Sequence, residues 1–283
     1  MTFGRKKKPL GFTMNRPSYG YDHAARQRYE INVNIMLDVS SSMPKEGVRY
    51  MMETGFKSIM QTLKGFMGLD FHYNIRIVAF GSEVRELLPF TSVDEAVEHV
   101  LPAVEPRGVT RTEDAMRDAI ETIKRLKKEQ DDAHLKRGSS VCIIVTDGMP
   151  TDEKGHRQPL DPDLVREIAL LNETRSLVTF AVGFGDANGS VLSQLAPSEQ
   201  AKLPDGTTVP FAHAVLFGGD RDKKGECFWR QITNLVGLAS SSTSTIGGSD
   251  QTVVGLAYRD ADLPEAFRNV SLIDPSLDVQ LIY

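Results

Sequence analysis

The sequence predicts an α/β protein built on a doubly wound, mostly parallel sheet flanked by helices, and three observations carry that prediction. Apolar runs of strand length recur at Ile31–Leu37, Ile75–Phe80, Val141–Val145 and Leu177–Phe184. Between them lie stretches whose apolar residues return every three to four positions, the spacing of a single helix face. Two of the strand runs are followed at once by acidic and hydroxyl residues, Asp38-Val39-Ser40 and Thr146-Asp147-Gly148. Open α/β sheets gather their ligands at such strand ends.

Taken in order, residues 1–28 read as a basic extension in which Arg5-Lys6-Lys7-Lys8 precedes a Pro/Gly/Tyr segment, and Tyr29 opens the first core strand. From Gly47 to Phe66 the residues Tyr50, Met51, Phe56, Ile59, Met60 and Leu63 predict an amphipathic helix. Ile75–Phe80 is the second strand, Leu87–Phe90 a short edge piece and Val93–Leu101 a short helix. Glu113–Lys128 carries Ala115, Met116, Ala119, Ile120, Ile123 and Leu126 on one face, with basic residues at its end where they suit the helix dipole. Val141–Val145 is the third core strand, Leu164–Leu171 a helix, Leu177–Phe184 the fourth strand and Val191–Leu195 helix-like. The segment around 197–225, with Pro204-Asp205-Gly206 between short apolar runs, reads as a hairpin inserted on the core pattern. Phe228, Ile232, Leu235, Val236 and Ala239 then form a helical stripe that ends in the serine-rich run Ser240–Ser244. The body is thus expected over 29–250. Residues 251–283 form a C-terminal extension, strand-like around Leu263–Val270, packing on or near that body.

Composition narrows the class. A chain of 283 residues, 40% hydrophobic with a net charge of −5, can bury one large core. No apolar stretch approaches the roughly 20 residues that span a bilayer, so no membrane span is expected. The leader lacks the apolar centre of a secretory signal. With only two cysteines, a disulfide framework or thiolate metal site is not expected. Cys142, in a buried strand, and Cys227, beside Phe228 and Trp229, read as small core residues, and the expected compartment is the cytoplasm. The basic leader, with Arg16, Arg26 and Arg28 downstream, accompanies no nucleic-acid-binding fold. Its attraction for nucleic acid would be unspecific and salt-sensitive, so no specific nucleic acid is expected as a partner.

The chemistry concentrates at Asp38, Ser40 and Ser42. A carboxylate and two hydroxyls at a strand-to-helix turn would, alone, be read as caps for free backbone N–H groups. Two further segments change that reading: Gly108-Val109-Thr110-Arg111-Thr112 ahead of a helix, and Val145-Thr146-Asp147-Gly148 closing a core strand. All-oxygen donors with two carboxylates suit a hard divalent cation.

Together the three segments resemble the von Willebrand factor A domain and its metal-ion-dependent adhesion site, Asp-x-Ser-x-Ser, then a lone Thr, then an Asp after a central strand. The matching positions are Asp38, Ser40, Ser42, Thr110 and Asp147. The resemblance runs from about Ile31 to Gly185, more loosely to about Ser244. It implies a Rossmann-like fold, bound Mg²⁺ (Mn²⁺ and Ca²⁺ suit the same oxygens), and a protein partner whose Asp or Glu completes the metal's coordination. It also places Met43, Arg111, Met149 and Asp152 on the rim of the site. The run Thr146 to Asp152, reading Thr-Asp-Gly-x-Pro-Thr-Asp, is similar to that of bacterial tellurium-resistance proteins of the TerY type. That similarity implies a stress-response or defence system, with a kinase and phosphatase pair as companions and phosphorylation of the serine run as one form of control.

An enzyme is the weaker expectation. The chain has no Gly-x-Ser-x-Gly elbow, no phosphate-binding loop and no His-Glu-x-x-His, and its six histidines are scattered. Gly183-Phe184-Gly185 begins a dinucleotide pattern that fails at Asn188. Asp38-Val39-Ser40 lacks the second Asp of haloacid-dehalogenase-type phosphatases. The alternatives to a binding module are a Mg²⁺-dependent phosphohydrolase and an adaptor subunit for a ring ATPase.

Overall fold

The computed structural model describes residues 29–66, 71–133, 136–137, 140–202, 208–218, 229–230, 233 and 279–282. The chain runs β1 (Tyr29–Asp38), α1 (Lys45–Tyr50), a π-helical turn (Met51–Gly55), α2 (Phe56–Phe66), β2 (Phe71–Phe80) and β3 (Val84–Ser92). It continues through α3 (Val93–Ala96), α4 (Thr112–Asp132), β4 (Lys136–Arg137), β5 (Ser140–Thr146), α5 (Pro162–Glu173) and β6 (Leu177–Phe184). Then follow α6 (Gly189–Leu195), β7 (Glu199–Lys202), β8 (Thr208–Phe211), β9 (Ala214–Phe217) and β10 (Val279–Ile282).

The main sheet has the order β10-β9-β6-β5-β1-β2-β3, with the two-residue β4 pairing beside β1. β2, β1, β5, β6 and β9 are mutually parallel, and the two outer strands β3 and β10 run antiparallel to their neighbours. Pro89 lies in β3, where an edge strand can lack a ladder N–H.

Both faces are covered, which is why the central strands are apolar over most of their length, with Asn32, Asn34 and Arg76 as buried exceptions. Ile31, Val33, Ile35 and Leu37 of β1 join Val48, Phe56, Ile59 and Leu63 of the first helical layer. Met36, Ile144 and Ala181 face the opposite way, onto Ala115, Met116, Ile120 and Ile123 of α4 and Leu164 and Ile168 of α5. Strand alternation therefore assigns each side chain to a layer.

Several boundaries differ from the sequence expectation. The helix expected over Val93–Leu101 ends at Ala96; Pro102 would in any case keep helical backbone from including Leu101. α4 runs to Asp132 and has no basic residue in its last turn. The lysines expected to serve its dipole act elsewhere, Lys127 donating to the Ser176 carbonyl. The segment expected as an insertion over 197–225 divides in two. β7 and β8 form a separate hairpin, whereas β9 is a strand of the main sheet beside β6. Beyond it β10 pairs antiparallel with β9. The expected leader 1–28, the serine run and the strand-like pieces around Leu263–Val270 lie outside the described residues. Of the helical stripe after residue 228, Trp229, Arg230 and Thr233 are described, and all three are helical.

Candidate metal centre

The crossovers leaving β1 and β5 diverge, one toward β2 and the other toward β6. Adjacent parallel strands whose connections part in this way open a crevice beyond their carboxyl ends. Leu37 is in register with Val145, so Asp38 and Thr146 follow side by side and share the face of Met36 and Ile144.

Asp38 is fully buried and held by both oxygens. Its Oδ1 accepts the Ser40 backbone N–H at 2.8 Å, and its Oδ2 accepts the Thr146 hydroxyl at 2.6 Å. The turn that follows is pinned from outside. The Val39 N–H donates to the Phe80 carbonyl at 2.7 Å, and the Val39 carbonyl accepts the Arg107 N–H at 2.7 Å. Ser41 donates from its N–H and from its hydroxyl to the Gly108 carbonyl, at 3.1 and 2.9 Å. Gly108 has φ +78°, a left-handed backbone that glycine adopts without Cβ strain. These ties leave Ser40 and Ser42 turned toward one another, with 3.0 Å between their hydroxyl oxygens. Ser42 in turn donates to Asp147 Oδ1 at 2.7 Å.

Thr110 comes from the loop ahead of α4. Its N–H donates to the Thr151 hydroxyl at 2.9 Å, and its carbonyl accepts the N–H groups of Thr151 and Thr112 at 2.9 and 3.1 Å. Gly148 seats this hydroxyl against the serines, because a Cβ there would lie 3.1 Å from Thr110 Oγ1 and 3.7 Å from Ser42 Oγ. Asp38, Ser40, Thr110 and Asp147 are all at most 5% exposed, while Ser42 is open to solvent. The five residues expected to bind metal are therefore brought together from three separate loops.

The electrostatics at Asp38 are unbalanced. Burial pushes the Asp38 carboxyl up from 3.8 to about 7, against the hydrogen bonds of Thr146 and Ser40, and the neighbouring Asp147 charge raises it further. No cationic side chain bonds to Asp38 among the described residues. Two buried carboxylates with hydroxyls beside them fit a small divalent cation, which would supply the missing charge. The donor set is oxygen alone, and no cluster of three or more His, Cys, Asp or Glu ligands occurs among the described residues.

The expected rim residues fare differently. Met43 is 3% exposed and belongs to the core beneath the loop, so it is not a rim residue; its apolar side chain anchors the turn from below. Arg111 is half-buried and spans Asp114 Oδ2 at 2.5 Å and Glu153 Oε1 at 3.2 Å, tying α4 to the loop after β5. Asp152 accepts the N–H groups of Lys154 and His156, both at 2.8 Å. These bonds, with the His156 side chain, hold its carboxyl below the ordinary carboxylate range. Met149 packs partly buried against the α4 layer. Two residues that sequence reasoning left without a role, Thr146 and Thr151, orient Asp38 and Thr110. Both lie inside the Thr146–Asp152 run, the one signal that pointed to them.

Residues 32–209 match the von Willebrand factor type A domain. Similar solved structures include the ArnB paralog VWA2 from Sulfolobus acidocaldarius, at 19% identity and TM-score 0.42, covering 60% of this chain and 39% of that one. A von Willebrand factor type A protein from Catenulispora acidiphila is 17% identical with TM-score 0.43, covering 75% of this chain and 43% of the other. The pilus adhesin SpaC from Lactobacillus rhamnosus GG is 13% identical with TM-score 0.46, covering 75% and 32%. The chain thus spans less than half the length of each of these three structures. No curated protein matches it.

Proposed function

This chain belongs to the von Willebrand factor type A domain family, whose members generally act as protein-interaction modules, and we propose that it binds a protein partner through a Mg²⁺ ion. Asp38, Ser40, Ser42, Thr110 and Asp147 would hold the ion. The ion would supply an electrophilic position that a partner's Asp or Glu completes. The observation that carries this reading is the burial of Asp38 beside Asp147 with three hydroxyls and, among the described residues, no cationic side chain bonded to Asp38.

The chain's own contribution is orientation and charge. Thr146 and the Ser40 N–H fix the Asp38 carboxylate, and Ser42 presents the one open hydroxyl of the set. With two carboxylates and neutral hydroxyls, a divalent ion would be at most neutralised, so it would still attract an incoming carboxylate. Catalysis finds no support here. Among the described histidines, His213 lies against Phe180 with its ring tilted, and His156 bonds to Asp152. A location in the cytoplasm and a role in a tellurium-resistance-like stress or defence system are part of the proposal, resting on the sequence. No helix among the described residues is long and apolar enough to cross a membrane.

The test is Mg²⁺ titration of the full chain by calorimetry, with Asp38→Ala and Thr110→Ala beside it. Saturable binding in the wild type that is lost in both variants supports the reading. Binding that survives Asp38→Ala overturns it.

A further inference from the structure

A cavity of about 520 Å³ opens immediately beside the metal loop. Six of its eleven lining residues are aliphatic or glycine, Val39, Ala79, Gly81, Ala103, Val104 and Gly108, and four are charged. We propose that this cleft receives an apolar side chain from the same partner segment whose acidic residue reaches the metal, and that the segment carries additional acidic character facing Arg85. The inference rests on the metal-bridge reading and specifies the partner.

Continuity is the first argument. Val39 separates Asp38 from Ser40, and Gly108 lies two residues before Thr110, so the metal loop and the cleft share their walls. The sharing is rigid, because Ser41 bonds twice to the Gly108 carbonyl, the Arg107 N–H donates to Val39 and the Arg111 N–H donates to Gly81. An extended peptide advances about 3.3 Å per residue. A segment with its carboxylate on the metal therefore brings a side chain one to three positions away over the cleft mouth.

Charge is the second. Around the mouth Arg107 pairs with Glu83 at 3.4 Å, and Glu105 pairs with Lys45 at 3.7 Å. Arg85, also in the cleft wall and exposed, makes no ion pair among the described residues. One uncompensated cation beside an electrophilic metal favours an acidic segment and disfavours a basic one. The aliphatic floor selects the side chain between those acidic contacts, because burying a Val or Leu there removes apolar surface from water.

The experiment is a selection of displayed peptides with one fixed central aspartate and randomised flanks, on the full chain in Mg²⁺ and in chelator. Expected is a Mg²⁺-dependent, aspartate-dependent set enriched in Val, Leu or Ile within three positions of that aspartate. Ala103→Glu, at an exposed loop position, should weaken a selected peptide roughly tenfold or more while leaving Mg²⁺ titration unchanged. Arg85→Ser should erase the preference for a second acid. Selection that needs Mg²⁺ and aspartate but shows no apolar preference, or survives Ala103→Glu undiminished, overturns the cleft assignment and leaves the metal bridge standing. Selection indifferent to Mg²⁺ and aspartate, or no peptide selected at all, overturns both.

Discussion

The Thr146 hydroxyl donates to Asp38 Oδ2 at 2.6 Å across neighbouring parallel strands, joining residues 108 positions apart in the chain. Thr146 Oγ1 itself accepts the Gly148 N–H at 3.2 Å, which fixes the direction of the hydroxyl proton. Thr146→Val should therefore leave a buried carboxylate oxygen without its donor, at about 1–2 kcal/mol in the metal-free protein. Urea unfolding measures that loss. Thr146→Ser, which keeps the hydroxyl, should restore most of it.

Under the proposed metal bridge, protonation of Asp38 would link metal affinity to pH. Its folded value is raised, from 3.8 to about 7, chiefly by burial. The sign follows: the carboxyl contributes stability to the metal-free fold that is full below about 3.8, declines as pH rises and is lost on passing through about 7. A cation requires the ionised form, so protons compete with it below that value. Mg²⁺ affinity should rise by up to about tenfold per pH unit below neutrality and level off above. Calorimetric titration at pH 6, 7 and 8 measures this. An affinity flat across that range would show that no ligand titrates there. In Thr146→Val the plateau should move to higher pH, because the lost donor favoured the ionised form.

At Gly148 the three loops meet, with Thr110 and Ser42 both within reach of an added Cβ. A methyl at this position would sit 3.1 Å from Thr110 Oγ1, tight enough that the hydroxyl must give way. Gly148→Ala should lower Mg²⁺ affinity roughly tenfold with under about 1.5 kcal/mol lost in stability, a split read by pairing calorimetry with unfolding curves. Equal affinity in the variant would place Thr110 outside the metal's reach.

The layering of the sheet and the clustering of Asp38, Ser40, Ser42, Thr110 and Asp147 were legible because each rests on a local pattern: apolar runs for β1, β2, β5 and β6, and short motifs at their ends. What the pattern hid is a buried polar layer between the central strands and α4. Arg76 lies inside a strand read as apolar. Its side chain is 4% exposed, bonded to Glu86 at 2.7 Å, to Asp118 at 2.8 Å and to Asn34 at 3.4 Å. Asn32 bonds to Gln130 and Asn74 in the same layer. Periodicity reports how often apolar residues recur and is silent on a polar side chain whose partners are distant in sequence. Met43 failed as a rim residue for a related reason: motif proximity says nothing about which way a turn points its side chains.

Removing Arg76 tests that layer. Arg76→Met would leave Glu86 and Asp118 facing an apolar strand without their cation. Both carboxylates are more than a third exposed or close to it, so solvent screens part of the cost. The expected loss is about 2 kcal/mol, below that of breaking a fully buried pair. Chemical denaturation measures it. A loss below about 0.5 kcal/mol would make the layer incidental to stability.

The single tryptophan of the chain reports on how the first helical layer is closed. Trp229 is 2% exposed and meets Phe184 of β6 edge-on, with ring centroids 5.3 Å apart. Gly47, in the first turn after the metal loop, makes room for the indole, since a Cβ there would fall 1.9 Å from Trp229 Cζ2. That overlap exceeds what side-chain adjustment absorbs, so Gly47→Ala must move the indole or the helix. Overpacking of this kind costs about 1–3 kcal/mol. Because no other tryptophan contributes, the emission of the variant should shift to longer wavelength as the indole meets water, alongside reduced thermal stability. Unchanged emission with unchanged stability would mean that α1 and Trp229 are not in contact in solution. A red shift accompanied by weaker Mg²⁺ binding would show that the seating of Trp229 against α1 also holds the Asp38–Ser42 loop, whose last residue lies three positions before that helix begins.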